Sequence, residues 1–252
     1  MTDKTFRVVI PARYASTRFP GKAIAELDGK PMISHVYDQA CASSAEEVVI
    51  ATDDQRIADV AQDFGAKVVM TRADHESGTD RIAEVVKNRG WSNDSIVVNV
   101  QGDAPFIPAS SIDHVAVLLS SHKSASLATL CAAMADPSDV NDPNIVKVVF
   151  DAAGRALYFS RSPIPAVAHG GEPPVSFWWH IGIYAYRVGA LLQLAQTPVC
   201  ELERAEKLEQ LRALHQGMEI RIGVATELPG PDINTPEDLV IAERFISGSR
   251  ST

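Results

Sequence analysis

The sequence predicts an α/β protein with a mixed, mainly parallel sheet and helices on both of its faces. Two observations carry that expectation. Across the first half, apolar runs rich in β-branched residues alternate with segments of helical periodicity, the pattern of βαβ units. The second half is richer in strands, so the sheet is mixed rather than purely parallel.

In order along the chain, FRVVIP (6–11), EVVIAT (47–52), KVVM (67–70) and SIVVNV (95–100) read as strands, with helices between them over 31–41, 53–63 and 79–89. Further strands are expected over 125–134, 145–150, 156–159, 181–187 and 220–226, with helices over 201–216 and 235–246. Residues 162–175 are rich in Pro and Gly and read as a loop-like insert, and 247–252 read as a tail without structure. No internal repeat is visible, so the simplest partition is one domain over 1–252 with an excursion at about 156–190.

The loop after the first strand is the most informative segment. It reads PARYASTRFPGK (11–22) and places Arg13, Arg18 and Lys22 beside Ser16, Thr17 and Gly21. A loop that follows a strand lies at the carboxyl edge of an open α/β sheet, where such folds bind ligands. Its cations neutralise phosphate, and its exposed backbone N–H groups form a concave anion nest. A solvated basic loop is the alternative.

The usual nucleotide fingerprints are missing. Lys22 is followed by Ala23 where a P-loop has Ser or Thr, no Gly stands five residues before Gly21, and no G-x-G-x-x-G occurs. A kinase-type P-loop and a dinucleotide dehydrogenase are therefore excluded. His75-Glu76 begins like a zinc-protease motif, but Thr79 occupies the second His position. Cys41, Cys131 and Cys200 show no C-x-x-C spacing and read as small core or surface residues.

The 252-residue chain is 46% hydrophobic, enough to bury a full core, and its net charge of −9 argues against general nucleic-acid binding. Its cations cluster instead at Arg13, Arg18, Lys22 and Lys30, which suits a small polyanion such as a nucleoside triphosphate. The N-terminal run has no apolar export segment and no run approaches bilayer length, so a cytoplasmic protein without membrane insertion is expected.

Other candidates follow from position. Asp103 closes VNVQGD (98–103) immediately after a strand, at the same edge as the basic loop, and is the candidate magnesium ligand; a turn or helix-cap Asp is the alternative. Gln101 is a neutral donor beside it. Asp53 and Ser77 either cap the helices that follow or help hold a nucleoside. Arg161 offers a planar fork for a substrate carboxylate. On a helix over 201–216, Glu203, Glu206 and Gln210 would share one face, with Leu208, Leu211 and His215 on another.

Taken together, IPARYASTRFPGK (10–22), GKPMISH (29–35), ATDD (51–54), MTRADHESGTDR (70–81), VNVQGD, ALYFSR (156–161), HIGIYAYR (180–187), LERAEKLEQLR (202–212) and TPEDL (235–239) resemble the sugar nucleotidyltransferases. Within them the chain is most similar to the 3-deoxy-manno-octulosonate (Kdo) cytidylyltransferase family. The matching segments run from near the first residue to near the last.

The resemblance implies a Rossmann-like nucleotide-diphospho-sugar transferase fold. The implied reaction converts CTP and a 3-deoxy sugar acid to the CMP-sugar and pyrophosphate, for lipopolysaccharide assembly, with Mg2+ as cofactor and a homodimer as the assembly. It implies nucleotide contacts from Ala12, Arg13, Ser16, Thr17, Arg18, Gly21, Lys22, Arg72, Ser77 and Gln101, with Arg13, Lys22 and Asp103 catalytic. It turns Gln101, Arg161, His180, Tyr184, Glu209 and Gln210 toward the sugar, and it names Asp103 and Asn234 for the metal. His180 and Tyr184 fall on one face of a strand.

Three positions depart from the family pattern: Ala104 replaces an acidic residue, Trp179 a basic one, and Asn234 the second metal-binding Asp. Asn234 retains a neutral oxygen donor, and Asp232 is the nearby carboxylate that can compensate. The alternatives are a cytidylyltransferase for a related acid, an 8-amino Kdo or a sialic acid, and a catalytically weak nucleotide-binding relative.

Overall fold

Strand β1 (Phe6–Ala12) forms the middle of the sheet, and its side chains bury on both faces. Phe6, Val8, Ile10 and Ala12 enter one core cluster while Val9 enters another. That two-sided burial is what a parallel strand between helical layers requires. The computed structural model describes residues 5–15, 19–169, 171 and 176–249.

Next along the chain come the short strands β2 (Glu26–Leu27) and β3 (Lys30–Pro31), then β4 (Glu47–Thr52), β5 (Val68–Met70), β6 (Ile96–Asn99), β7 (Leu127–Ala133) and β8 (Lys147–Phe150). They are followed by β9 (Ala156–Ser160), β10 (Trp178–Arg187) and β11 (Ile220–Val224). The main sheet runs β11-β7-β10-β6-β1-β4-β5, with β8 and β9 attached beside β10. β4 and β6 pair with β1 in parallel, whereas β10 runs antiparallel to both β6 and β7. The mixed, mainly parallel sheet is therefore present, and β10 is the strand that reverses it.

Helices α1 (Met32–Ala42), α2 (Gln55–Asp63), α3 (Gly78–Asn88), α4 (Ala109–Ser121) and α5 (Val188–Gln196) cover the sheet. Ile33, Ile57 and Ile112 place α1, α2 and α4 on the face with Ile10, while Ile82 and Leu191 place α3 and α5 on the face with Val9. The sequence reading had no helix at α4 or α5. α5 begins directly on the last residue of β10 with Val188-Gly189 and no side-chain cap, so nothing local announces its start. The β2–β3 hairpin was also missed; its turn is Asp28-Gly29, both at positive φ, as a two-residue hairpin requires.

The expected helix over 201–216 is corrected. It is two helices, α6 (Glu201–Glu206) and α7 (Gln210–His215). Lys207 takes a left-handed conformation, φ 54°, and its N–H closes on the Glu203 carbonyl at 2.8 Å, which ends α6. The single-helix face shared by Glu203, Glu206 and Gln210 therefore does not exist. The final helix, α8 (Pro236–Ser249), also continues through part of the tail expected to lack structure; 250–252 lie outside the described residues. Among the described residues no helix is long and apolar enough to cross a membrane.

Candidate active site

Parallel pairing in register brings three strand ends to one edge. Ala12 of β1 pairs with Thr52 of β4, and Val9 pairs with Asn99 of β6, so the loops that begin at Arg13, Asp53 and Val100 open on the same side. Because β10 is antiparallel, with Tyr184 opposite Asn99, its first residues reach that edge too.

Two glycines let the loops meet. Gly21 has φ 73° and receives its shape from an N–H bond to the Tyr14 carbonyl at 2.9 Å. A Cβ there would stand 3.1 Å from the Tyr14 ring. A Cβ on Gly102 would stand 2.9 Å from the Pro11 carbonyl oxygen, so the loops after β1 and β6 approach closely only because this residue is Gly.

Those contacts aim Lys22 at Asp103. Lys22 Nζ lies 2.6 Å from Asp103 Oδ2 and also donates to the Ile233 carbonyl at 3.2 Å. The Ile233 N–H donates to the Asp103 carbonyl at 3.0 Å, which ties the segment before α8 to the same loop. Asp103 thus sits in the turn after β6 and is the counterion of Lys22 rather than a helix cap.

Two cavities flank this pair. The smaller, about 270 Å³, is lined by Ala12, Arg13, Lys22, Ser77, Gln101, Asp103 and Asn234, together with His75 and Arg81. The larger, about 660 Å³, is lined by His180, Tyr184, Glu209 and Gln210, and it shares Gln101, Asp103 and Asn234 with the smaller. The three shared residues form the junction between them.

In the smaller cavity, Arg81 is 3% exposed and its Nη2 lies 3.1 Å from Asp53 Oδ1. Burial pushes its guanidinium pKa down and the nearby positive charge of Arg13 adds to that, with Asp53 opposing. Two cations facing one carboxylate leave an excess of positive charge for an anion. Ser77 caps α3 in a capping box with Asp80 and lines the cavity as well. At the next loop the cap is Asp54, whose side chain accepts from the Arg56 N–H at 3.0 Å, while Asp53 serves Arg81.

Two residues are placed elsewhere than the reading put them. Arg72 lies on the outside, paired with Asp74 two residues on, and lines neither cavity; His75 and Arg81 occupy the wall near it. Arg161 donates to the Glu206 carbonyl at 2.7 Å and the Pro143 carbonyl at 2.8 Å, so its fork is engaged by backbone rather than turned into the larger cavity. Ser16, Thr17 and Arg18 lie outside the described residues. Arg81 and His75 were within reach of sequence reasoning, since both stand in the MTRADHESGTDR segment.

In the larger cavity, His180 is 6% exposed. The Thr129 hydroxyl donates to the Ile183 carbonyl at 2.6 Å and therefore accepts from His180 Nε2–H at 2.9 Å. The neutral ring keeps Nδ1 as an acceptor. Glu209 accepts from the Thr79 hydroxyl at 2.9 Å and from Arg212 at 2.9 Å. Burial raises its carboxyl pKa, and the bonds from Thr79, Ser77 and Arg212 counter that rise.

His180 gives a pH prediction. Burial lowers its pKa from 6.5 to about 3, so below 6.5 the unfolded chain binds a proton that the folded chain refuses. That contribution to stability is complete above pH 6.5 and is lost as pH falls, by up to about 1.4 kcal/mol per pH unit. Asp232 acts in the opposite sense. Its pKa is pushed up to about 7, first by the protein enclosing it and then by Asp103. Urea midpoints at pH 7 and pH 5 isolate the His term by difference: the parent is expected to lose more on acidification than His180→Gln, and equal losses would rule this out.

The carboxyl edge of this mainly parallel sheet, where open α/β folds bind ligands, joins a cationic cavity to a larger one; the class is that of a cytidylyltransferase, whose family model matches residues 7–220. The 3-deoxy-manno-octulosonate cytidylyltransferase of Thioalkalivibrio sulfidiphilus is 52% identical over 96% of this chain and 99% of its own. That of Pseudomonas syringae pv. syringae is 50% identical over 96% and 98%. A solved structure of CMP:2-keto-3-deoxy-manno-octonic acid synthetase complexed with CTP matches with a TM-score of 0.90 at 40% identity, covering 98% of this chain and 100% of that one. The chain belongs to the 3-deoxy-manno-octulosonate cytidylyltransferase family.

Proposed function

We propose that this enzyme activates Kdo with CTP, giving CMP-Kdo and pyrophosphate. The observation that carries the reading is the junction at Gln101, Asp103 and Asn234, which borders both cavities and so gives a nucleotide and a sugar acid one common boundary. The anomeric hydroxyl attacks the α-phosphorus directly as the bond to pyrophosphate breaks, with no covalent enzyme intermediate. Arg13, Lys22 and Arg81 neutralise the triphosphate, Ser77 holds the nucleoside side, and His180, Tyr184, Glu209 and Gln210 orient the acceptor.

A panel of nucleoside triphosphates and sugar acids scored for pyrophosphate release tests the reading. CTP with Kdo is expected to be the fastest pair. Faster turnover with a sialic acid or an amino analogue would replace the acceptor assignment, and nucleotide binding without turnover would replace the enzyme assignment.

Among the described residues no group of three or more His, Cys, Asp or Glu side chains stands ready to hold a metal. Magnesium does not require one, because it takes one or two carboxylates with substrate phosphates and water. Asp103, the Asn234 amide oxygen and Asp232 fit that need: burial raises the Asp232 pKa most, and Asp103 adds to the rise through a charge crowding that a cation relieves. When bound, magnesium supplies positive charge at the phosphates. Asn234→Asp is expected to lower the half-saturating magnesium concentration about tenfold, roughly 1.4 kcal/mol, in a titration at fixed CTP and Kdo. An unchanged value would place the second oxygen donor elsewhere.

The wider setting follows from the same reading: a cytoplasmic enzyme supplying lipopolysaccharide assembly, working as a homodimer. Leu157 and Val167 of the excursion are 60% and 46% exposed, apolar side chains that a subunit contact would cover. Pro173 and Pro174 of that segment lie outside the described residues. Light scattering at micromolar concentration is expected to give the mass of two chains, and a monomer mass would count against the dimer.

A further inference from the structure

Asn99 is the last residue of β6, beside Val9 on one flank and opposite Tyr184 on the other. Strand alternation puts its side chain on the same face as Val97, which packs in the cluster that contains Tyr184 and Tyr186. The residue is 2% exposed and lines the larger cavity.

One end of its amide is held. The Asn99 side chain and Thr79 both lie within reach of the Tyr186 hydroxyl. The Thr79 hydroxyl donates to Glu209 at 2.9 Å. A polar chain thus runs from Glu209 through Thr79 and Tyr186 to Asn99. Its far end is the Asn99 Oδ1, which is buried and has no hydrogen-bond partner in the protein.

Buried polar atoms without partners are rare, and those in a ligand cavity mark where a ligand completes the network. A neutral carbonyl oxygen accepts a hydrogen bond and binds neither an ionised phosphate nor a carboxylate. The sugar acid brings hydroxyl donors, whereas its carboxylate must be bound by a group that donates. We propose that Asn99 is a specificity residue of the acceptor cavity: its amide oxygen accepts a hydrogen bond from one hydroxyl of the sugar acid, and Tyr186 is the positioning residue that fixes the amide. This rests on the acceptor being the Kdo-like acid argued above.

The test pairs Asn99→Leu with a series of mono-deoxy Kdo analogues, read by pyrophosphate release at varied sugar and varied CTP. In the parent, one analogue is expected to lose about tenfold in kcat/KM relative to Kdo. Asn99→Leu is expected to raise the KM for Kdo about tenfold, to leave the KM for CTP unchanged, and to treat that analogue and Kdo alike. Tyr186→Phe keeps the ring volume and reads the same contact should Asn99→Leu fold poorly. It is expected to raise the KM for Kdo about threefold with the KM for CTP unchanged.

An unchanged Kdo KM in Asn99→Leu, or deoxy penalties identical in parent and variant, would overturn the assignment and leave the oxygen to an ordered water only. A rise in both KM values together with a lower melting temperature would make Asn99 structural and overturn it equally. The parent failing to turn over Kdo at all would instead overturn the functional reading on which this rests.

Discussion

Asp103→Asn is expected to lower pyrophosphate release by about a hundredfold or more, the range seen when one preorganised electrostatic group is removed from a reacting phosphate or carbonyl. Asp103 is the charged member of the junction between the two cavities, and its carboxylate sits 2.6 Å from Lys22 Nζ. The substitution is nearly isosteric and leaves the backbone bond from Ile233 to the Asp103 carbonyl in place. The loop geometry is therefore retained while one negative charge is removed. Lys22 is left without its counterion, and the metal proposed at this site loses an anionic ligand. Lys22→Ala and Arg13→Ala are expected to lose most turnover as well, through the triphosphate rather than through the metal. Steady-state rates at saturating CTP and Kdo decide this, with thermal melts run in parallel. Near-normal rates in Asp103→Asn would remove Asp103 from the chemistry.

The largest expected loss of stability is at Arg212. Its side chain is 6% exposed and lies 3.0 Å from Glu203 and 2.9 Å from Glu209. It also donates to the Thr197 carbonyl at 2.9 Å, so α7 is tied to both α6 and the end of α5. Arg212→Ala strands a mostly buried Glu203 and leaves Glu209 without its cation. Truncating one partner of a buried ion pair costs about 3–5 kcal/mol, because the remaining charge stays desolvated. Urea denaturation is expected to show that loss, together with weaker acceptor binding through Glu209. A change below about 1 kcal/mol would mean that the pair is dispensable.

The first half of the fold was legible because each βαβ unit carries its own signals: β-branched runs, helical periodicity, and caps such as Ser77 with Asp80. The edge that carries the smaller cavity was legible in the same way, since Arg13 directly follows β1 and Asp103 closes the short loop after β6. Tertiary choices were not legible. Lys207 carries no sequence mark of a left-handed residue, yet it splits an otherwise continuous helical pattern. Arg161 has the chemistry of a carboxylate binder, but its fork is engaged by two backbone carbonyls that only the fold brings near it. Asn99 and Tyr186 read as ordinary strand residues until β10 pairs with β6 and brings both to the cavity that Glu209 lines.

The reversed direction of β10 divides labour within a single sheet. The smaller cavity is lined mainly from β1, α3 and the loops after β1 and β6, whereas β10 enters only the larger one, beside residues of β6 and of the segment before α8. The seam between β6 and β10 is a backbone ladder from Tyr184↔Asn99 to Arg187↔Ile96, reinforced where α3 meets α5. Backbone pairing is indifferent to side-chain identity, but the Thr79–Glu209 bond joins the two halves through side chains, so neither half exchanges freely. Substitutions on β10 alone are therefore expected to reshape the larger cavity while leaving the lining of the smaller one unchanged.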